Sequence, residues 1–271
     1  MAGLIEATAQ VAGQVRLDSG WDIWGPAGGY IAAIALRAAG EQAPAGHRPL
    51  TITGQFVRIA KPGTLDVAVE PIKLGASALF AVTLSQAGRP VFLAQIWTSG
   101  RAMASHPVQP PMPAVPLPEA LRDFHDIAAE RGFTQIGFWQ NIEGRPVNFR
   151  QAGDPPAGDT HQLRWMRLRD WTATSDAFLD AMRSTMLIDI GVWPGHWHRL
   201  AEPANYGAPS LDIAVHFHDG TPASDWLLSD ADSDVSGNGT ISGRVRIWSA
   251  DGRCVATGCG HCLVVPAPTP G

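Results

Sequence analysis

Asp189 stands between Ile188 and Ile190, in a run that carries Phe178, Leu179, Met182, Met186 and Leu187 at helical spacing. A carboxylate among so many apolar neighbours is costly unless it is paired or hydrogen-bonded. Desolvation raises the pKa of such a group and makes it a better base toward water. The alternative is a solvated aspartate at a helix end, where the dipole mildly disfavours negative charge. Ser210 follows Pro209 and opens the run Leu211–His218. Its hydroxyl can orient a water or hydrogen-bond the carboxylate, or simply begin a strand. An attacking serine would want the G-x-S-x-G elbow, which the chain lacks. In a regular strand Asp212 shares Ser210's side. Gly28-Gly29 opens an apolar run, Tyr30 to Ala39. Free N–H groups at a helix start suit a developing oxyanion; close packing of helix on sheet is the other use of paired glycines.

The remaining polar clusters point to structure more than to chemistry. His216 and His218 share a face but have no third ligand at metal-binding spacing. His261 should point away from its neighbour Gly260 unless a bulge intervenes. Cys254, Cys259 and Cys262 are an odd number with no signal segment, so they read as buried strand cysteines rather than a disulfide framework. The acidic run Asp230–Asp234 reads as a solvated strand edge, and Ser236-Gly-Asn-Gly239 as a hairpin turn. Trp193 and Trp197 can wall an apolar pocket or fill a core or dimer contact.

Two similar series of elements carry these residues. In the first, a helix beginning at Gly28 ends at Gly40 and Pro44, and strands follow at Leu50–Ile59, Thr64–Ile72, Ser77–Gln86 and Pro90–Ser99. In the second, strand-like segments at Phe133–Ile142 and Gln162–Leu168 precede a helix. That helix is capped by Thr174-Ser175-Asp176 and stopped at Gly191 and Pro194. Strands follow at Leu211–His218, Trp226–Ala231, Gly243–Ser249 and Val255–Val265. Thr53-Gly-Gln-Phe56 echoes Ala214-Val-His-Phe217, and Gln86-Ala-Gly-Arg89 echoes Ala250-Asp-Gly-Arg253, in the same order, which implies internal duplication. Ala104–Pro118 holds prolines at 107, 110, 111, 113, 116 and 118 and reads as an extended spacer. The expected units are residues 1–103, a linker over 104–125, and residues 126–271.

Composition narrows the function classes. The 271 residues are 45% hydrophobic with a net charge of -5, enough for a real core and without the clustered Lys and Arg that nucleic acid requires. No apolar run approaches a membrane span, and Met1–Arg16 lacks a signal-peptide core, so a cytoplasmic location is expected.

The stretches Ser210–His218, Trp226-Leu-Leu228, Asp251–Ala256, Ile142–Val147 and His161–Arg167 together resemble the TesB-like acyl-CoA thioesterases, as do, more weakly, Gly28-Gly29 and Phe56-Val57-Arg58. The resemblance implies an α+β double hotdog, each half a sheet wrapped round a central helix. It also implies hydrolysis of acyl-CoA or another acyl thioester by a water held on Asp, Thr or Ser, and Gln. Carried over, these fall on Asp189, Ser210 and Gly260, and glycine at the last position has no side chain to hold water. No metal or organic cofactor is implied, and a homo-oligomer is. The rival reading is a binding protein of the same fold that lost turnover with the Gln. Hydratases of this fold carry a D-x-N-P-x-x-H-type stretch, which is absent here.

Overall fold

Long apolar runs broken by Gly-rich turns set the element order. The computed structural model describes residues 2–101, 108–132, 137–150, 154, 161–197, 200, 205–219 and 225–266. In chain order these form α1 (Leu4–Ala7), β1 (Gln14–Arg16), α2 (Gly28–Gln42), β2 (Arg48–Phe56), β3 (Thr64–Lys73), β4 (Ser77–Gln86) and β5 (Arg89–Ser99). The second series is α3 (Phe124–Glu130), β6 (Ile142–Pro146), β7 (His161–Leu168), α4 (Ala177–Trp197), β8 (Tyr206–Gly207) and β9 (Ser210–Phe217). It closes with β10 (Leu227–Gly237), β11 (Thr240–Ser249), β12 (Cys254–Leu263) and β13 (Val265–Pro266).

Eleven strands make one sheet in the order β1-β3-β4-β5-β2-β9-β12-β11-β10-β7-β6, with β8 and β13 paired separately. All neighbours are antiparallel. The order β3-β4-β5-β2 on one side of the centre mirrors β10-β11-β12-β9 on the other, and β1 mirrors β7 beside them. The seam is the β2–β9 pair, Thr51↔His216 through Gln55↔Asp212. The sheet curls round α2 and α4, which pack on each other, and the main core runs through both halves without interruption. Alternate residues of each strand, such as Phe80, Val82 and Leu84 of β4, supply its inner face.

Several sequence expectations are corrected by packing. Gly40 does not end α2. It lies inside the helix because a Cβ there would sit 2.5 Å from Cγ of Phe178. Nor do Gly191 and Pro194 stop α4, which runs on to Trp197. Gly191 is a contact residue, its Cβ position 2.8 Å from Val245, and Pro194 costs the helix one hydrogen bond without ending it. Of the Asp230–Asp234 run only the end is a solvated edge: β7 flanks β10 as far as Asp232, and Asp234 lies beyond it, exposed. β10 lies between β7 and β11, and buried Asp230 is paired with His161 and Arg246. Part of Phe133–Ile142 lies outside the described residues, and the part within them is a 3-10 turn over Gly137–Asn141 that leads into β6. The Ser236–Gly239 turn does join β10 to β11, with positive φ at Asn238 and Gly239. Asp176 caps α4, its Oδ1 accepting from the amides of Phe178 and Leu179 at 2.8 and 3.1 Å. The described part of the Pro-rich spacer lies over the outer face of the second half. There Trp165 donates to the Pro116 carbonyl at 2.9 Å, and Met112, Val115 and Leu121 cover Trp165, Leu228 and Trp248.

Candidate active site

The start of α2 has no cap from its own sequence neighbours. It is capped instead from the other half. The Gly29 amide donates to Asp189 Oδ2 at 2.6 Å, and the Ser210 hydroxyl donates to Asp189 Oδ1 at 2.8 Å. Close approach makes this possible. A Cβ on Gly28 would lie 2.8 Å from Asp189 Oδ1 and 3.0 Å from the Phe56 ring, and one on Gly29 would lie 2.8 Å from Met186 Cα. A side chain at Gly29 would push the two helices apart, and one at Gly28 would collide with the carboxylate and the Phe56 ring. The Gly28 amide has no protein acceptor among the described residues.

Ser210 reaches the carboxylate through a β-bulge. On β12, Cys262 pairs with Ser210 and His261 with Asp212, so Leu211 is the extra residue of β9. The bulge breaks the alternation, turning Ser210 inward and leaving Leu211 exposed. Asp212 therefore does not share Ser210's side. It lies on the outer face, accepting from the His261 amide at 3.0 Å and facing the His261 ring. His216 and His218 are outward too, and His218 meets Thr257 at 2.8 Å.

Gly260 is buried and faces α4. Its Cβ position lies 3.6 Å from Val192, one turn past Asp189, and 3.0 Å from the Asp212 carbonyl oxygen. The inward residue that meets Ser210 is Cys262, one of the three cysteines that the sequence assigns to structure alone. The residue is 3% exposed and stands opposite Ser210 in the ladder. Burial, with the Asp189 carboxylate close by, pushes its pKa up to about 12, so it remains a protonated thiol. The available signal was the small-residue alternation Gly258, Gly260, Cys262, which marks the strand face against Ile188 and Val192.

Burial raises the Asp189 pKa above the ordinary carboxylate value, while the hydrogen bonds from Ser210 and Gly29 pull it down. The result is a carboxylate fixed by two donors and short of solvation, the state expected of a general base. Near it, Trp24 meets Trp193 edge-on, and Trp193 lies against His196 and Tyr206, which hydrogen-bond each other at 2.7 Å. Two cavities lie elsewhere, one beside Arg48 and Pro49 and one beside Glu143 and Arg167. Among the described residues no three His, Cys, Asp or Glu side chains group as metal ligands, and no helix is long and apolar enough to cross a membrane.

A duplicated chain of two helix-in-sheet halves joined at one seam is a double hotdog. The chain belongs to the acyl-CoA thioesterase family: residues 17–99 match its N-terminal domain and residues 116–264 its C-terminal domain. It is 25% identical over 268 residues to human acyl-coenzyme A thioesterase 8, covering 89% of this chain and 82% of that protein. The crystal structure of the acyl-CoA thioesterase II TesB2 from Mycobacterium marinum superposes with a TM-score of 0.73 at 23% identity, over 89% of this chain and 90% of that one. A hot dog fold protein of unknown function from Alicyclobacillus acidocaldarius superposes with a TM-score of 0.81 at 23% identity, over 99% and 100%. The two structural likenesses show the fold; the domain matches show the family. The protein is a TesB-like thioester hydrolase.

Proposed function

We propose that the chain hydrolyses acyl-CoA with Asp189 as general base and Ser210 as the residue that orients Asp189 and the attacking water. The observation that carries this is the partly buried carboxylate held by Ser210 Oγ and the Gly29 amide. Asp189 takes a proton from water as its oxygen attacks the thioester carbonyl carbon. The negative charge that develops on the carbonyl oxygen falls to the Gly28 amide, since the Gly29 amide is already engaged by the acid. Collapse of the intermediate breaks the C–S bond, and the departing thiolate recovers the proton from Asp189. The products are a carboxylic acid and free CoA.

The test is thiol release from a panel of acyl-CoA substrates. We expect Asp189→Asn to lower kcat about 10²- to 10⁴-fold with an unchanged circular dichroism spectrum, the usual contribution of a positioned base. Undiminished turnover in that variant would remove the mechanism. The second reading is binding without turnover, favoured by Gly260, where the family resemblance calls for a Gln. Wild-type protein that binds acyl-CoA and releases no thiol would establish it. The homo-oligomer implied by the resemblance belongs to the same proposal, and a light-scattering mass near the 28.8 kDa of one chain would remove it.

A further inference from the structure

Among the described residues, buried charges in the second half are matched, with one exception. Glu143 is held by Arg145 and Arg167, Asp230 by His161 and Arg246, Arg183 by Asp180, and Arg150 by the carbonyls of Leu200 and Asp154. Arg164 is 8% exposed and has no acid and no hydrogen-bond acceptor among the described residues. Its neighbours are rings: the guanidinium lies 4.6 Å from the centre of Phe124 and 5.8 Å from that of Trp139. Its Nε is sealed from solvent and unsatisfied. Gly144 on β6 leaves room for the arginine stem, with its Cβ position 3.4 Å from Arg164 Cδ.

An isolated buried cation costs several kcal/mol in effective desolvation. Stacking on aromatic faces returns only part of that cost and satisfies none of the five N–H donors. Burial accordingly pulls the guanidinium pKa down to about 10. What is missing is an acceptor of one negative charge with two oxygens, because a planar fork matches a carboxylate in bidentate fashion. A dianion would exchange an unmatched positive charge for an unmatched negative one. The ring walls favour an apolar body behind the charged group. We propose that Arg164, walled by Phe124 and Trp139, binds the carboxylate of an apolar organic acid. This site is separate from Asp189 and stands on its own geometry. The free acids released by thioester hydrolysis share its ligand chemistry, whereas the acyl-CoA esters, lacking the carboxylate, do not.

The experiment measures thermal unfolding of the full chain at constant ionic strength while hexanoate is titrated. Hexanamide, inorganic phosphate and hexanoyl-CoA serve as the other arms. In wild type, hexanoate should raise Tm with a saturating dependence, and hexanamide and phosphate should not. Arg164→Met should lose the response and, without ligand, melt at or above the wild-type Tm, since it removes an unmatched charge. Arg164→Lys, which keeps the charge and loses the fork, should weaken the hexanoate Kd about tenfold. The lysine variant carries the test if the methionine variant does not fold. Equal shifts from hexanoate and phosphate, an undiminished response in Arg164→Lys, or no wild-type response at all would overturn the site. A shift from hexanoyl-CoA that survives in Arg164→Met belongs to the Asp189 site, so the two readings fail separately.

Discussion

Helices α2 and α4 cross at two places related by exchange of the halves. At one, Gly29 near the start of α2 backs Asp189, twelve residues beyond the start of α4 (177 to 189). At the other, Phe178 near the start of α4 lies on Gly40, twelve residues beyond the start of α2 (28 to 40). The strands repeat the relation. The bulge at Leu211 that turns Ser210 inward has its counterpart at Leu50 in β2, which places Pro49 where Ser210 would be, opposite Thr98 as Ser210 is opposite Cys262. Every chemical group of the first crossing is thus missing from the second: glycine for the acid, proline for the hydroxyl, and a ring where the helices would need a glycine. What persists there is a cavity of about 20 Å³ whose lining includes Arg48, Pro49, Ala177, Asp180 and Ser184, room for about one water. Duplication kept the scaffold in both halves and the proposed site in one. One half lends backbone amides and the other lends side chains.

Substitutions can break or sharpen that contrast. The largest effect, after the loss expected from Asp189→Asn, belongs to Phe178→Ala. It should lower unfolding free energy by about 3–5 kcal/mol, because the ring fills the silent crossing. It should leave kcat per folded molecule unchanged in thiol release, and a fall in kcat well below Tm would show that the crossings are coupled. Ser210→Ala comes next. It deletes a hydrogen bond to a charged group, worth about 1.5–3 kcal/mol, so turnover should fall roughly ten- to a hundredfold. It also removes one of the two bonds that lower the Asp189 pKa, so the acid limb of the pH–rate profile should move to higher pH. Stability has the opposite sign. The folded pKa of Asp189 lies above its unfolded value of 3.8, so its contribution is full below that value and is lost as pH rises through the folded pKa. Acid and thermal melts of wild type against Asp189→Asn read this directly. The smallest effect is Asp176→Ala, which removes a local cap at about 0.5–2 kcal/mol and should leave kcat and KM alone. An effect on kcat would mean that the start of α4 is not independent of the site.

The elements were legible because each rests on local information. Alternating Phe80, Val82 and Leu84 announce a strand, Asp176 announces a helix start, and Asn238-Gly239 a tight turn. Asp189 and Ser210 were legible from their apolar surroundings together with the family resemblance. The rest depends on contacts between distant residues. Gly40 reads as a stop signal until Phe178, far along the chain, is known to lie on it. Period two put Asp212 beside Ser210, and only the pairing with β12 shows that Leu211 is an extra residue. The same pairing brings Cys262 to Ser210, a contact that no spacing within β12 encodes. The cap of α2 is the clearest case, since its acceptor belongs to the other half of the chain.

That cap makes the Gly29 amide a reporter. Its proton lies on the hydrogen bond to the proposed base and moves into a different field when Asp189 takes up a proton. Its resonance in the nitrogen–proton NMR spectrum of isotope-labelled protein should therefore titrate with the acid, without substrate. The midpoint should lie above the ordinary carboxylate value and move higher still in Ser210→Ala. One peak, followed across pH, reads the state of the base in the resting protein.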